Sequence, residues 1–173
     1  MSTNSPKVAV IMGSKSDLPA LKGAFAIFRE FNIEFTARVM SAHRTPEEAL
    51  AFASSAEENG YKVLVCAAGM AAHLAGVVAA HTTLPVIGIP MSCEPFNGID
   101  SLYSTVQMPP GIPVATVTVG KAGAKNAALY AASIIGLSDT AVSQKLKEFR
   151  VKQTEIVKKA DQELQDELAS GAI

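Results

Sequence analysis

Short apolar segments alternate along this chain with segments whose apolar residues recur at helical spacing. The apolar segment at residues 7–12 is followed by a helical pattern formed by Leu18, Leu21, Phe25, Phe28 and Phe31. Residues 62–68 show no alternation of polar and apolar side chains, which is typical of a parallel strand covered on both faces. This order of elements predicts parallel βαβ units in an α/β fold, a three-layer αβα sandwich with a parallel sheet.

The same reasoning assigns the other elements of the sheet and its helices. Strands are predicted at residues 33–40, 85–89 and 114–119, and helices at 71–81, 99–107 and 122–135. Pro90 is expected to bound the fourth strand. Thr45, Pro46 and Glu48 have the spacing of a capping box with proline at the first helical position, so a further helix is predicted to begin there and to end at Gly60.

The C-terminal part of the chain predicts one long helix at residues 140–168, which contain no glycine or proline. One helical stripe contains Val142, Leu146, Phe149, Ile156, Ala160 and Leu164. A helix of this length reaches roughly 40 Å, about the diameter of the whole domain. We therefore expect it to extend past its own domain and to bury the remaining stripe against another copy in a homo-oligomer. The alternative is a solvated helix on a monomer.

Size and charge narrow the function classes. The chain has 173 residues, which predicts a single domain at 1–173 with a core at about 7–137. Its formal net charge is -1 and no basic run occurs, so we expect neither a nucleic acid nor a membrane surface as partner. No apolar stretch is long enough for a signal peptide or a membrane span. Cys66 and Cys93 form no C-x-x-C pair, which favours a cytoplasmic location.

Ligands of open parallel sheets bind beyond the carboxyl ends of the strands, where three loops of this chain carry polar groups. In the first loop, Ser14 and Ser16 are candidates for binding phosphate oxygens, and Asp17 is a candidate acceptor for ribose hydroxyls. The loop matches neither of the glycine-rich dinucleotide and nucleotide-phosphate motifs. The alternative is that Ser16 or Asp17 only caps the following helix.

The second and third loops each contain a histidine. Ser41, His43 and Arg44 precede the helix that begins at Pro46, where a guanidinium suits phosphate and an imidazole suits proton transfer near neutral pH. The third loop, residues 67–76, is made of small side chains apart from Met70, His73 and Leu74, and lets a flat ligand approach the backbone. Its alternative is tight packing with a satisfied core histidine. No metal-ligand spacing and no serine-hydrolase motif occurs, so we expect no metal.

Four motifs in order carry a family resemblance. They are V-A-V-I-M-G-S-K-S-D at 8–17, S-A-H-R-T-P at 41–46, A-A-G-M-A-A-H-L at 67–74 and D-S-L-Y-S-T-V-Q-M-P at 100–109. Over roughly residues 7–137 the chain closely resembles the PurE family of N5-carboxyaminoimidazole ribonucleotide mutases. The resemblance implies a flavodoxin-like fold, a homo-octamer and conversion of N5-carboxyaminoimidazole ribonucleotide to 4-carboxy-5-aminoimidazole ribonucleotide in purine (IMP) biosynthesis, without a metal or an organic cofactor.

The resemblance also implies a role for each site residue. His43 is implied as the catalytic acid and base. Ser14, Asp17 and Arg44 are implied to bind the ribose phosphate, with Ser16 and Ser41 near the phosphate. The pocket for the base and the carboxylate is implied at Ala68, Gly69, Met70, Ala71, His73 and Leu74.

Two segments depart from the family pattern: Ala75 stands where H-L-P-G is common, and residues 91–96 match no pattern of the family. Three alternatives to the mutase are open. One is an aminoimidazole ribonucleotide carboxylase that uses CO2 directly, although the motif at 100–109 favours the mutase. The others are a non-catalytic nucleotide-binding module and a flavin-binding protein.

Overall fold

A computed structural model describes residues 7–172 of the chain. Its five parallel strands lie in the order β2-β1-β3-β4-β5, which is the order of the flavodoxin-like doubly wound fold. The strands are β1 (Val8–Met12), β2 (Phe35–Val39), β3 (Val63–Gly69), β4 (Val86–Met91) and β5 (Ala115–Thr116), and the helices are α1 (Leu18–Glu30), α2 (Pro46–Ser55), α3 (Leu74–Ala79), α4 (Ile99–Val106), α5 (Gly120–Ile135) and α6 (Thr140–Ser170). The predicted three-layer sandwich is confirmed. The predicted domain boundaries at 1 and 173 lie outside the described residues.

One face of the sheet is covered by α1, α5 and the first part of α6, and its core combines aliphatic side chains with a group of phenylalanines. Leu21, Phe25, Phe28 and Phe31 are buried at the spacing predicted for α1. The ring centroids of Phe25 and Phe35 are 5.1 Å apart in a stacked pair. The apolar stripe of α1 therefore explains why this helix packs on the sheet.

The other face is covered by α2, α3 and α4, and its core is made largely of small side chains. Ala49, Ala53 and Ala75 are buried against the sheet. A Cβ atom at Gly88 of β4 would overlap the methyl group of Thr105 on α4. Small residues thus allow these helices to lie close to the strands.

The boundaries of α2 differ from the prediction, and the capping box predicted at Thr45 is wrong. The Thr45 hydroxyl instead accepts the Ser41 N–H at 2.9 Å, and no side-chain bond caps α2. The helix ends at Ser55, and residues 56–60 form a turn that finishes at Gly60 with φ +86°.

Other boundaries shift as well. Helix α3 begins at Leu74 rather than at residue 71, and residues 71–73 belong to the loop. Strand β4 continues through Pro90, which lies beyond the pairing with β5, so the missing N–H removes no bond from that ladder. Strand β5 has two residues instead of six, and α5 begins at Gly120 instead of 122.

Helix α6 is confirmed as one long helix whose second half leaves the domain. Its N-cap residue Asp139 accepts the N–H groups of Ala141 and Val142 at 3.1 and 3.2 Å and pairs with Lys7 Nζ at 2.6 Å. Val142 is buried, and Leu146 and Phe149 pack against the aromatic core. The rest of the predicted stripe is exposed: Ile156, Ala160 and Leu164. In residues 7–172, no helix combines the length and the hydropathy that a membrane crossing requires.

Candidate active site

The three predicted loops meet at one edge of the sheet because β1 lies between β2 and β3. Gly13 N donates to Ala67 O at 3.0 Å, and Met40 N donates to Met12 O at 3.0 Å, so the loops after the three strands are tied together. They enclose a cleft of about 520 Å³. This position, at the reversal of strand order, is where ligands of doubly wound sheets bind.

All predicted site residues except His73 line this cleft: Ser14, Ser16, Asp17, Ser41, His43, Arg44, Ala68, Gly69, Met70, Ala71 and Leu74. Two depressions of about 930 and 770 Å³ lie elsewhere, at the amino ends of β4 and β5 and between α1, α5 and α6. Neither contains a predicted site residue. Because the smaller cleft gathers an imidazole, a guanidinium and a buried carboxylate, chemistry rather than volume makes it the candidate site.

The first loop is held by a capping box formed by Ser14 and Asp17. The sequence pattern predicts a capping box only at Thr45. Ser14 Oγ accepts the Ser16 N–H at 3.3 Å and lies 2.8 Å from Ser16 Oγ, while Asp17 Oδ2 accepts the Ser14 N–H at 3.3 Å. The alternative that Ser16 or Asp17 caps the following helix is therefore wrong for Ser16, because Ser14 supplies the capping hydroxyl. Asp17 does take part in the capping box, through its bond to the Ser14 N–H. These bonds fix two hydroxyl groups at the cleft wall.

Asp17 is a perturbed carboxyl group within that wall. Burial raises its pKa, and the hydrogen bond from the Ser14 N–H lowers it by a smaller amount. Asp17 as a whole residue is only 8% exposed, although it lines the cleft. A desolvated carboxylate with vacant lone pairs is suited to accept hydroxyl hydrogens from a ligand, and such perturbed groups cluster at functional sites.

The second loop is a self-bonded turn that presents His43 and Arg44. Ser41 Oγ accepts the N–H groups of His43 and Arg44 at 3.3 and 3.2 Å, which leaves its own hydrogen available to an anion. Arg44 Nη2 donates to Gly13 O at 2.8 Å. The guanidinium therefore bridges the first and second loops, and Arg44 lines the same cleft as Ser14.

The two histidines contact each other directly. His43 Nε2 lies 2.8 Å from His73 Nδ1, with ring centroids 5.0 Å apart and planes 89° apart. One ring must donate and the other accept, so the bond couples the tautomers of both rings. His73 is exposed, so the alternative of a core histidine is wrong.

Most of the third-loop residues that line the cleft are small, so the backbone of this loop lies close to the cleft. Ala68, Gly69 and Ala71 line it, and a Cβ at Gly69 would lie 2.5 Å from Cys93 Sγ. Met70 adopts φ +56°, a left-handed conformation that costs a non-glycine residue about 1 kcal/mol. The close approach at Gly69 therefore requires a residue without a side chain.

Sequence reasoning missed Cys93 and Ala42 as lining residues. Cys93 follows β4, whose last residue Met91 is paired with Gly69 at the end of β3. Ligands of doubly wound sheets bind beyond the carboxyl ends of the strands, so the loop after β4 is a fourth candidate loop, and it contains Cys93. Between residues 7 and 172, no group of three His, Cys, Asp or Glu side chains is arranged to hold a metal ion.

A family model described as AIR carboxylase matches residues 7–156, which include all three loops. The chain belongs to the AIR carboxylase family. Several relatives are named N5-carboxyaminoimidazole ribonucleotide mutase. The Escherichia coli K12 protein is 51% identical over 157 residues, which cover 90% of this chain and 93% of that protein. The Pyrococcus abyssi protein is 52% identical over 145 residues, covering 84% and 82%.

Solved structures agree with this family assignment. The crystal structure of Treponema denticola PurE superposes with a TM-score of 0.82 at 30% sequence identity, and the match covers 91% of this chain and 97% of that one. The family resemblance drawn from the four motifs and the flavodoxin-like fold are both confirmed.

Proposed function

We propose that this AIR carboxylase family member is an N5-carboxyaminoimidazole ribonucleotide mutase of purine biosynthesis. It converts N5-carboxyaminoimidazole ribonucleotide to 4-carboxy-5-aminoimidazole ribonucleotide. Relatives about half identical over most of the chain bear that name. The observation that carries the proposal is the convergence of the three motif loops on one cleft that contains the His43 imidazole.

The polar end of the cleft is suited to the ribose phosphate. Ser14, Ser16 and Ser41 supply hydroxyl donors, and Arg44 supplies a charged fork that matches a phosphate. Asp17 accepts the ribose hydroxyl hydrogens. Binding energy gained at this remote end orients the heterocycle at the other end, where the reaction takes place.

His43 moves the proton that the carboxyl transfer requires. When the bond between N5 and the carboxylate carbon breaks, CO2 leaves and N5 takes a proton from the imidazolium. C4 of the electron-rich aminoimidazole then forms a bond to CO2, and the imidazole removes the proton from C4. The imidazole ends in its starting state, so no outside reagent is needed, and acid–base action of this kind contributes roughly 10²–10⁴-fold.

The small residues of the third loop confine the intermediate. Ala68, Gly69 and Ala71 allow the heterocycle to lie against the backbone, which holds CO2 beside C4. Such proximity is worth about 7–11 kcal/mol in favourable cases. The contact of His73 with His43 supports a role in orienting the catalytic ring, and its predicted contact with substrate stays a prediction.

A carbon source experiment separates the mutase from its alternatives. In buffer depleted of CO2 and bicarbonate, with a chelator present, the chain is expected to form the C4 carboxylated product from the N5-carboxylated substrate. Product that appears only when bicarbonate and aminoimidazole ribonucleotide are supplied would identify a direct carboxylase. Binding without turnover would identify a nucleotide-binding module, and a yellow purified protein would identify a flavoprotein.

We further propose that the chain forms a homo-oligomer in the cytoplasm, an octamer according to the family resemblance. Support comes from the exposed apolar side chains on the second half of α6, including Ile156, Val157 and Leu164. Truncation after Arg150 retains the buried contacts of Leu146 and Phe149. The intact chain is expected to sediment as a larger assembly than the truncated one, whereas a monomeric intact chain would contradict the proposal.

A further inference from the structure

Met70 has an unusual backbone conformation for its residue type. Within residues 7–172, the non-glycine residues with positive φ are Asn32, Met70 and Asn97. Asparagine tolerates this region through its short polar side chain, whereas methionine does not. Strained residues of this kind persist where the site needs them. Because glycine would adopt φ +56° without strain, the side chain at this position requires an explanation of its own.

The position of Met70 supplies that explanation. It directly follows β3 and lines the cleft, yet it is 61% exposed. Its neighbours Gly69 and Ala71 are small, and Leu74 is buried within its helix. Among the residues of the third loop that line the cleft, Met70 alone is therefore both large and exposed.

We propose that Met70 is a positioning residue that folds over the bound heterocycle and retains the released CO2 until C4 captures it. The inference rests on the proposed mutase function. CO2 is uncharged and its oxygens are weak hydrogen-bond acceptors, so the donors that bind a phosphate hold it poorly and enclosure must retain it. A thioether on a flexible, unbranched side chain adapts to an irregular gap and makes favourable contacts with aromatic rings.

A label-retention experiment tests whether the Met70 side chain covers the bound heterocycle and retains CO2. The substrate carries an isotopic label in its N5 carboxylate, and the buffer contains an excess of unlabelled bicarbonate. The measured quantity is the share of label in the C4 product against the share released to the buffer, after subtraction of the loss without enzyme. Met70→Ala and Met70→Leu are matched in backbone strain because both place a Cβ at the same φ. Met70→Gly removes both the backbone strain and the side chain that would cover the heterocycle.

Met70→Ala and Met70→Gly are expected to release several-fold more label per product formed than the wild-type chain. Met70→Leu is expected to keep the wild-type ratio whatever its rate, because it retains a large apolar side chain. Met70→Gly is also expected to melt at or above the wild-type temperature, since its strain is relieved.

Equal label retention in Met70→Ala and the wild-type chain would overturn the inference, as would equal loss in Met70→Leu and Met70→Ala. The failure of the proposed function looks different. If the proposed function is wrong, the wild-type chain itself forms no C4 product from the labelled substrate. If only the role of Met70 is wrong, the wild-type chain still forms that product.

Discussion

The two faces of the sheet differ in the side chains that α1 and α2 bury against them. The aromatic face, under α1, α5 and α6, contains the buried phenylalanines of α1 beside the buried alanines of α5. On the face under α2 and α3, the residues that α2 buries are Ala49 and Ala53. Two of the three cleft loops lead into α2 and α3. Aromatic packing supplies stability through buried apolar area, while small residues bring helix and loop backbone close to the strand ends. The comparison indicates that stability and site geometry are supported by different halves of the core.

The largest effect on stability is expected on the aromatic face. Phe28 is fully buried, so Phe28→Ala should lower the free energy of unfolding by about 3–5 kcal/mol. Leu137 is 87% exposed, and Leu137→Ala is expected to change it by less than about 0.5 kcal/mol. Denaturant titration measures both. Similar losses in the two variants would show that the aromatic face does not dominate stability.

The cleft should show a binding effect without a stability effect. Arg44→Ala removes a charged hydrogen-bond donor, which is worth about 1.5–3 kcal/mol, so affinity for a ribonucleotide ligand should fall by roughly 10–150-fold. Affinity for the bare heterocycle should change far less. Calorimetry with both ligands provides the comparison, and equal losses would contradict the phosphate role of Arg44.

Helix α2, which buries alanines against the sheet, should tolerate added bulk poorly. Ala53 is buried on α2, and Ala53→Leu is expected to destabilise the fold by about 1–3 kcal/mol and to reduce activity by displacing the helix that follows the His43 loop. Ala51 lies exposed on the same helix, so Ala51→Leu is the matched control. If both variants keep wild-type stability and turnover, close packing of α2 does not support the site.

The attachment of α6 should give the smallest effect, and it depends on pH. The hydrogen bond from Lys7 and those from the Ala141 and Val142 N–H groups hold the pKa of Asp139 below its ordinary value. A lowered folded pKa means that the contribution is present above the unfolded pKa and is lost as pH falls through the folded one. Asp139→Ala should therefore destabilise the fold slightly at neutral pH and less in acid. Urea titrations at several pH values measure the difference, and a loss that does not shrink in acid would contradict this account.

Local pattern predicted the elements well where one face of an element is buried. The stripe of α1 and the three strand-end loops follow from spacing alone, because helix and strand periodicities fix which side chains share a face. The capping box at Thr45 failed because its hydroxyl has a competing partner in Ser41, four residues earlier. Strand β5 is shorter than its β-branched sequence suggests because pairing with β4 ends at Gly88.

Contacts between distant segments could not be predicted from spacing. The bond between His43 and His73 joins loops thirty residues apart, and the closeness of Gly69 to Cys93 depends on the register of β3 against β4. The positive φ of Met70 likewise has no signal in its residue type. The sequence therefore predicted which loops form the site, while tertiary structure decided which of their atoms touch.

Turnover and ligand affinity measured together for His43→Asn test the central claim, which is that the strand-end cleft transfers a carboxyl group by acid–base action of this imidazole. The account predicts that affinity for the product ribonucleotide stays close to the wild-type value while turnover falls by about 10²–10⁴-fold. Turnover that survives the substitution, or that falls only in step with affinity, would contradict it.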